Sequence, residues 1–201
     1  MQHLFFGDNW LRKNIFDKTM HMKARLFVPI IWLLAFTSTV QAQPTGKRTA
    51  AYNDINAMLD SFNVAAARAD YTAYFNFYTE DAIFIGTDAT ERWTKTEFMQ
   101  WAKPYFDKKR TWDFSAIDRH IYFSPDGSMA WFDELLNTQM KICRGSGVVV
   151  KEGDEWKLKQ YVLSTTVPNN NINAVIKLKA HEEDSILQTL KQRRIGQLKQ
   201  E

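Results

Sequence analysis

Apolar residues at spacings of three and four mark the first ordered segment. Ile55, Met58, Leu59, Phe62 and Ala66 share one face of a helix predicted from Ala50 onward. Asp70 is placed to cap a second, shorter helix through Tyr71, Tyr74, Phe75 and Tyr78. The continuous apolar run at 82–85 reads as a short buried strand, stopped by Gly86. Thr94-Lys-Thr-Glu97 has the capping-box form and opens a third helix through Phe98, Trp101 and Ala102. Pro104 predicts a kink, with Tyr105 and Phe106 continuing the apolar face beyond it.

From Trp112 the period changes to two, and residues 117–123, 129–138, 143–151 and 156–167 read as four strands. Ser124-Pro-Asp-Gly127 and Glu152-Gly-Asp154 carry turn chemistry. Connections this short cannot carry a parallel crossover, so the four strands form an antiparallel meander. Residues 168–171 end the sheet. The stretch 172–201 reads as an amphipathic helical tail around Val175, Ile176, Ile186, Leu187 and Leu190. It is either an appended helix or one that binds a partner.

Composition then narrows the class. Hydrophobic residues at 45% and aromatics at 14% exclude a disordered chain. Cys143 is the single cysteine, which excludes a disulfide framework within the chain. The net charge of +3 raises the question of an anionic partner, and its distribution answers it. A cationic head at 22–25, an apolar run at 26–36 and small residues ending at Ala42 form a secretory signal at 22–42, cleaved before Gln43. The run is shorter than the roughly 20 residues of a spanning helix, which argues against a retained anchor. Residues 1–21 show no periodicity and read as an over-extended start, with translation beginning at Met20 or Met22. Residues 1–42 hold five of the 26 basic and two of the 23 acidic residues, leaving 21 of each. The neutral remainder argues against nucleic acid. The chain is expected to be exported, periplasmic or extracellular, and free of the membrane after cleavage.

The stretches Phe77-Tyr-Thr-Glu-Asp-Ala-Ile83, Gly86-Thr-Asp-Ala-Thr-Glu-Arg-Trp93, Ala130-Trp-Phe-Asp-Glu134, Arg144-Gly-Ser-Gly147 and Trp156-Lys-Leu follow three helices in one order. In that order and spacing the chain resembles the SnoaL-like branch of the nuclear transport factor 2-like superfamily, over residues 50–170. The resemblance implies an α+β fold, with N-terminal helices packed on a strongly curved antiparallel sheet that forms a cone-shaped half barrel. It also implies pairing through the sheet as a homodimer. The superfamily holds isomerases, cyclases, dehydratases and non-catalytic binding modules, so the fold leaves the function open. In its isomerase-like members a carboxylate base follows the strand after the second helix. Here Gly86 stands at that place, with Asp88 two residues later.

Alternation sorts the sheet faces. Trp156, Leu158, Gln160 and Val162 share one face of the last strand, and Lys157 and Lys159 mark the other as solvated. Carried back through the turns, the Trp156 face receives Val150, Val148, Ser146 and Arg144, then Trp131, Asp133, Leu135 and Asn137, then Asp118, His120 and Tyr122. Glu134 is expected to point away from it. The expected concave site is therefore apolar with a few polar groups. His120 and Asp133 are its catalytic candidates, and Trp93, Tyr122, Trp131, Arg144, Ser146 and Gln160 its ligand contacts, with Trp93 closing the mouth. Asp133 and Arg144 form a structural ion pair, or Asp133 stands alone with a raised pKa as an acid–base group. His120 is structural or a proton carrier, and the tryptophans are core or ligand platform. Gly145 and Gly147 mark a bulge or a close backbone approach. His120 and His181 lie far apart and no zinc-type spacing occurs, so neither a metal nor a cofactor is expected. The sequence thus points to an exported protein binding a small hydrophobic or cyclic molecule. The alternatives are an enzyme of isomerase, cyclase or dehydratase type working by proton transfer, and a non-catalytic dimeric interaction module.

Overall fold

A computed structural model describes residues 45–198. The expected leader at 1–42 lies outside the described residues. Helix α1 (Thr45–Ala67) buries Ile55, Leu59, Phe62 and Ala66, the face set by their spacing. It ends where Ala69 takes a φ of 54° and the Asp70 amide bonds back to the Ala65 carbonyl. The Asp70 carboxylate then accepts the Ala73 amide at 3.0 Å and starts α2 (Tyr71–Asn76). Strand β1 (Tyr78–Ile85) begins four residues earlier than its apolar run, so Tyr78 belongs to the strand and not to the helix.

A three-residue strand, β2 (Arg92–Thr94), leads into α3 (Lys95–Asp107). It is too short to carry a period. The capping box forms as read: Glu97 accepts the Thr94 amide at 2.8 Å, and Thr94 Oγ1 accepts the Glu97 amide at 3.3 Å. Pro104 sits inside α3, which continues to Asp107, and Phe98, Ala102 and Phe106 face the core.

Strands β3 (Ser115–Phe123), β4 (Met129–Thr138), β5 (Lys141–Glu152) and β6 (Glu155–Thr165) form the antiparallel meander. The sheet order is β2-β1-β6-β5-β4-β3, and β1 runs parallel to β6. That one parallel pair requires the chain to return across the whole meander. The sheet is curved and unclosed, with the helices against it, as in the cone-shaped α+β fold. Helix α4 (Ile172–Leu198) follows. Several of its apolar side chains are exposed, Leu178 to 83%. Among the described residues no helix is long and apolar enough to cross a membrane.

The expected face assignment is corrected by the register. Glu152 pairs with Glu155 around Gly153 and Asp154, so Lys151, not Val150, stands opposite Trp156. This one-residue slip turns all of β5 over. From there the expected steps are right relative to one another: Asp133 faces Ser146, and His120 faces Asp133. The three strands therefore share a face as predicted, but it is the outer one. A second device acts on β6. The register shifts between Val148↔Gln160 and Val149↔Leu158, leaving Lys159 as an extra residue. Trp156 and Leu158 point to the core before the bulge, and Tyr161 and Leu163 after it. Gln160 and Val162 thereby move to the outer face.

Candidate functional site

The helix-covered side of the sheet is filled by aromatic rings, and between some of them a cavity of about 160 Å³ remains. Buried rings of Phe62, Tyr74, Phe84, Phe98 and Tyr161 form its inner wall. Thr87, Trp101 and Met140, all exposed, lie at its open side, on the β1–β2 loop, α3 and the β4–β5 turn. Phe84, Trp93, Phe98 and Tyr161 are nearly parallel, whereas Phe62 lies 53° from the plane of Tyr161 and Tyr74 69° from that of Phe98. Phe84 stacks on Phe98 with centroids 3.9 Å apart, Trp93 lies 4° from the plane of Phe98, and Tyr161 8° from that of Phe84. Trp101 extends the array outward, 4.8 Å from Trp93. Such a slot suits a flat or cyclic apolar body.

Polar groups behind the wall are spent on one another. Tyr161 Oη donates to Glu134 Oε1 at 3.1 Å. Arg119 donates through Nε to Glu134 Oε2 at 2.8 Å and through Nη1 to Asp60 Oδ1 at 3.0 Å and the Asn56 carbonyl at 3.2 Å. Arg119 and Glu134 side chains are only 6% and 1% exposed, so this is a buried pair inside the sheet. Burial pushes the Glu134 carboxyl above its ordinary range, and the Arg119 guanidinium opposes the rise. Burial also drives the Tyr161 hydroxyl far up, reinforced by the Glu134 charge. Glu134 thus points inward, opposite to the expectation. The alternation that names it is clear only once the face of β4 is known. Tyr74 Oη lies 3.3 Å from Tyr78 Oη, and the Tyr74 ring meets that of Trp112 edge-on with centroids 5.5 Å apart.

At the mouth, Glu91 folds over Gly86. A Cβ on Gly86 would lie 2.2 Å from Glu91 Oε2, so the carboxylate occupies the space where a side chain would stand. Its Oε2 accepts the Asp88 amide at 3.2 Å. Asp88 itself is turned into the loop, accepting the Thr90 amide at 2.8 Å, and it does not line the cavity. Sequence reasoning passed over Glu91 although it lies within the Gly86–Trp93 stretch. Its signal was the glycine three-dimensionally beside it, which no spacing reveals.

Of the residues singled out from sequence, Trp93 lines the cavity. The concave placement of His120, Tyr122, Asp133, Trp131, Arg144, Ser146 and Gln160 is corrected: pairing puts all seven together on the outer face. His120, Asp133 and Ser146 form one row across three strands, and Tyr122, Trp131, Val148 and Gln160 another. His120 Nε2 lies 3.2 Å from Asp118 Oδ2 in an exposed pair. Arg144 stands opposite Leu135, and the expected Asp133–Arg144 ion pair is not formed. Trp156 is buried in the core and packs edge-on against Phe123. Phe98, Trp112, Phe114 and the Gln139–Met140 turn were not singled out. Their apolar character was visible, but their convergence joins three separate connections of the chain.

A family model described as "SnoaL-like domain" matches residues 55–168. Comparison with curated proteins finds no match. Among solved structures, the chain is similar to a candidate dehydratase of the NTF2-like family from Streptomyces avermitilis, with a TM-score of 0.53, 13% identity, and 60% of this chain and 99% of that one covered. It is similar to an NTF2-like protein of unknown function from Pseudomonas putida KT2440, with a TM-score of 0.52, 13% identity and 60% and 90% covered. A candidate scytalone dehydratase from Novosphingobium aromaticivorans aligns at a TM-score of 0.52 and 14% identity, with 62% and 89% covered. At these identities the likeness is one of fold.

Proposed function

We propose, starting from the fact that the chain belongs to the SnoaL-like domain family, that it binds a small hydrophobic, cyclic molecule in the ring-lined cavity. One observation carries the reading: a cavity of about 160 Å³ walled in part by the near-parallel rings of Phe84, Trp93, Phe98 and Tyr161 and open at the β1–β2 loop. An apolar cavity of about 150 Å³ accommodates a benzene-sized ring. The reading includes export through residues 22–42, and an exported form beginning at Gln43 is the observation that bears on it. It does not include catalysis, because the acid–base candidates His120 and Asp133 lie on the opposite face of the sheet.

The test is a thermal-shift and calorimetric screen of single-ring and fused-ring compounds against the wild type and Leu163→Trp. Leu163 is buried at the cavity wall, and the larger side chain fills the space. Ring compounds are expected to raise the melting temperature of the wild type and not of the variant. Equal shifts in both would place the binding elsewhere.

The outer face favours a second reading beside the first, pairing of two copies through their sheets. Tyr122 and Trp131 are 46% and 45% exposed and stack at 5.9 Å. Exposed aromatic side chains this close together mark an interaction surface. Trp131→Glu is expected to convert a dimer to a monomer in sedimentation velocity without lowering the melting temperature of the protomer. A wild type that sediments as a monomer at high concentration refutes the pairing.

A further inference from the structure

The cavity wall is asymmetric in charge. It holds no Lys, Arg or His among the described residues, and Glu91 is its single carboxylate. Two hydroxyls of the wall are engaged within the protein, that of Tyr161 with Glu134 and that of Tyr74 with Tyr78, and the remaining polar side chains beside Glu91 are the Trp93 and Trp101 indoles, Gln139 and Thr87, all uncharged. Among the described residues no cation lies within ion-pair distance of Glu91. Only its Oε2 is engaged, by the Asp88 amide. The wall thus presents a carboxylate and aromatic rings, whose faces are electron-rich, and lacks a cation to receive an anion. An acid entering here would meet the like charge of Glu91 with no cation to offset it.

Resting on the ligand-binding reading of this cavity, we infer that its ligand is a cationic amine on a single-ring body, an arylalkyl or cycloalkyl ammonium. The ring occupies the slot beside Phe84 and Phe98, and the ammonium lies at the mouth against Glu91. Size agrees, since a cavity near 150 Å³ takes one ring and leaves a short chain to reach the loop. Gly86 keeps the counter-ion in place. Any larger residue there would collide with the Glu91 carboxylate and drive it out of the mouth.

Phenylpropylammonium, phenylpropanol and phenylpropanoate share one body and differ in charge, and titration of the full chain with each by calorimetry tests the inference. The ammonium is expected to bind at least about tenfold more tightly than the alcohol at low salt, with the advantage shrinking as salt is added. The carboxylate is expected to bind weakest. Glu91→Gln retains an oxygen for the Asp88 amide. It is expected to bring the ammonium down to the affinity of the alcohol while leaving the alcohol within about twofold of its wild-type value. Glu80→Gln removes the same charge from a side chain 96% exposed and outside the cavity wall, and is expected to leave the ammonium advantage intact. Equal affinity for ammonium and alcohol, tightest binding of the carboxylate, or an ammonium advantage that survives Glu91→Gln overturns the inference and leaves the cavity reading standing. If none of the three binds the wild type, the cavity reading fails and the inference fails with it.

Discussion

Replacing Arg119 by Met lowers the unfolding free energy by about 3–5 kcal/mol at neutral pH, because it leaves the Glu134 carboxylate buried without its cation. The pair is not a surface contact. Both side chains lie inside the sheet, and Glu134 also receives the Tyr161 hydroxyl. The pH dependence separates this cause from simple loss of packing. Burial already raises Glu134 above its ordinary value of 4.5, against the pull of Arg119. A carboxyl raised on folding holds its proton more tightly in the native state, so its contribution is fully present below 4.5 and is lost as pH rises through the native value. Without Arg119 the native value climbs further. The deficit of Arg119→Met is therefore expected to shrink as pH falls toward 4.5, where Glu134 is neutral, and to grow between there and neutrality. The double variant Arg119→Met, Glu134→Gln keeps an acceptor for Tyr161 without a charge, and is expected to recover most of the loss. Urea unfolding across this pH range measures both. A deficit below about 1 kcal/mol, or one independent of pH, contradicts the account.

Gly147→Ala is expected to cost about 1–3 kcal/mol or more, and to distort the cavity as well. The added Cβ would lie 2.4 Å from the Gln160 carbonyl oxygen and 2.8 Å from the Phe132 ring. A side chain can turn away from such a collision. The Gln160 carbonyl cannot, because it belongs to β6 immediately after the bulge at Lys159. Relieving the contact means moving the bulge, and the bulge is what turns Tyr161 and Leu163 toward the core. The variant should therefore lose near-ultraviolet ellipticity from the aromatic array, and amide protection in β5 and β6, as well as melting temperature. A variant that unfolds like the wild type, with unchanged amide protection, shows that the strands separate there at little cost.

These two sites also show where local pattern stopped being informative. The glycines of the Arg144–Gly147 stretch read as marking a bulge or a close approach, and the structure has the close approach there, while the bulge lies on β6 at Lys159. Buried Arg119 and Glu134 were not recognisable. Both sit on strands whose alternation is plain, but alternation only divides residues into two sets and does not say which set is inside. Lysines on β6 suggest the solvated face. Lys157 does lie there, yet its side chain is only 13% exposed and donates to the Asn76 carbonyl. Lys159 is the bulge residue and belongs to neither alternation.

By itself the sequence determined most of what depends on spacing and capping within one short segment. The face of α1, the Asp70 and Thr94–Glu97 caps, the turn at Ser124–Gly127 and the set of β3, β4 and β5 residues that share a face are all legible, because each rests on spacing or on turn chemistry within one short segment. Only the tertiary structure decided which side of that sheet is inside. One residue of hairpin register at Glu152–Glu155 and one extra residue at Lys159 reverse the sides. Neither has a local energetic signature strong enough to override its alternative. What selects them is packing the whole array of Phe62, Tyr74, Phe98 and Tyr161 against the helices, together with the parallel pairing of β1 with β6 at the far end of the chain. The cavity and its carboxylate exist only after that choice.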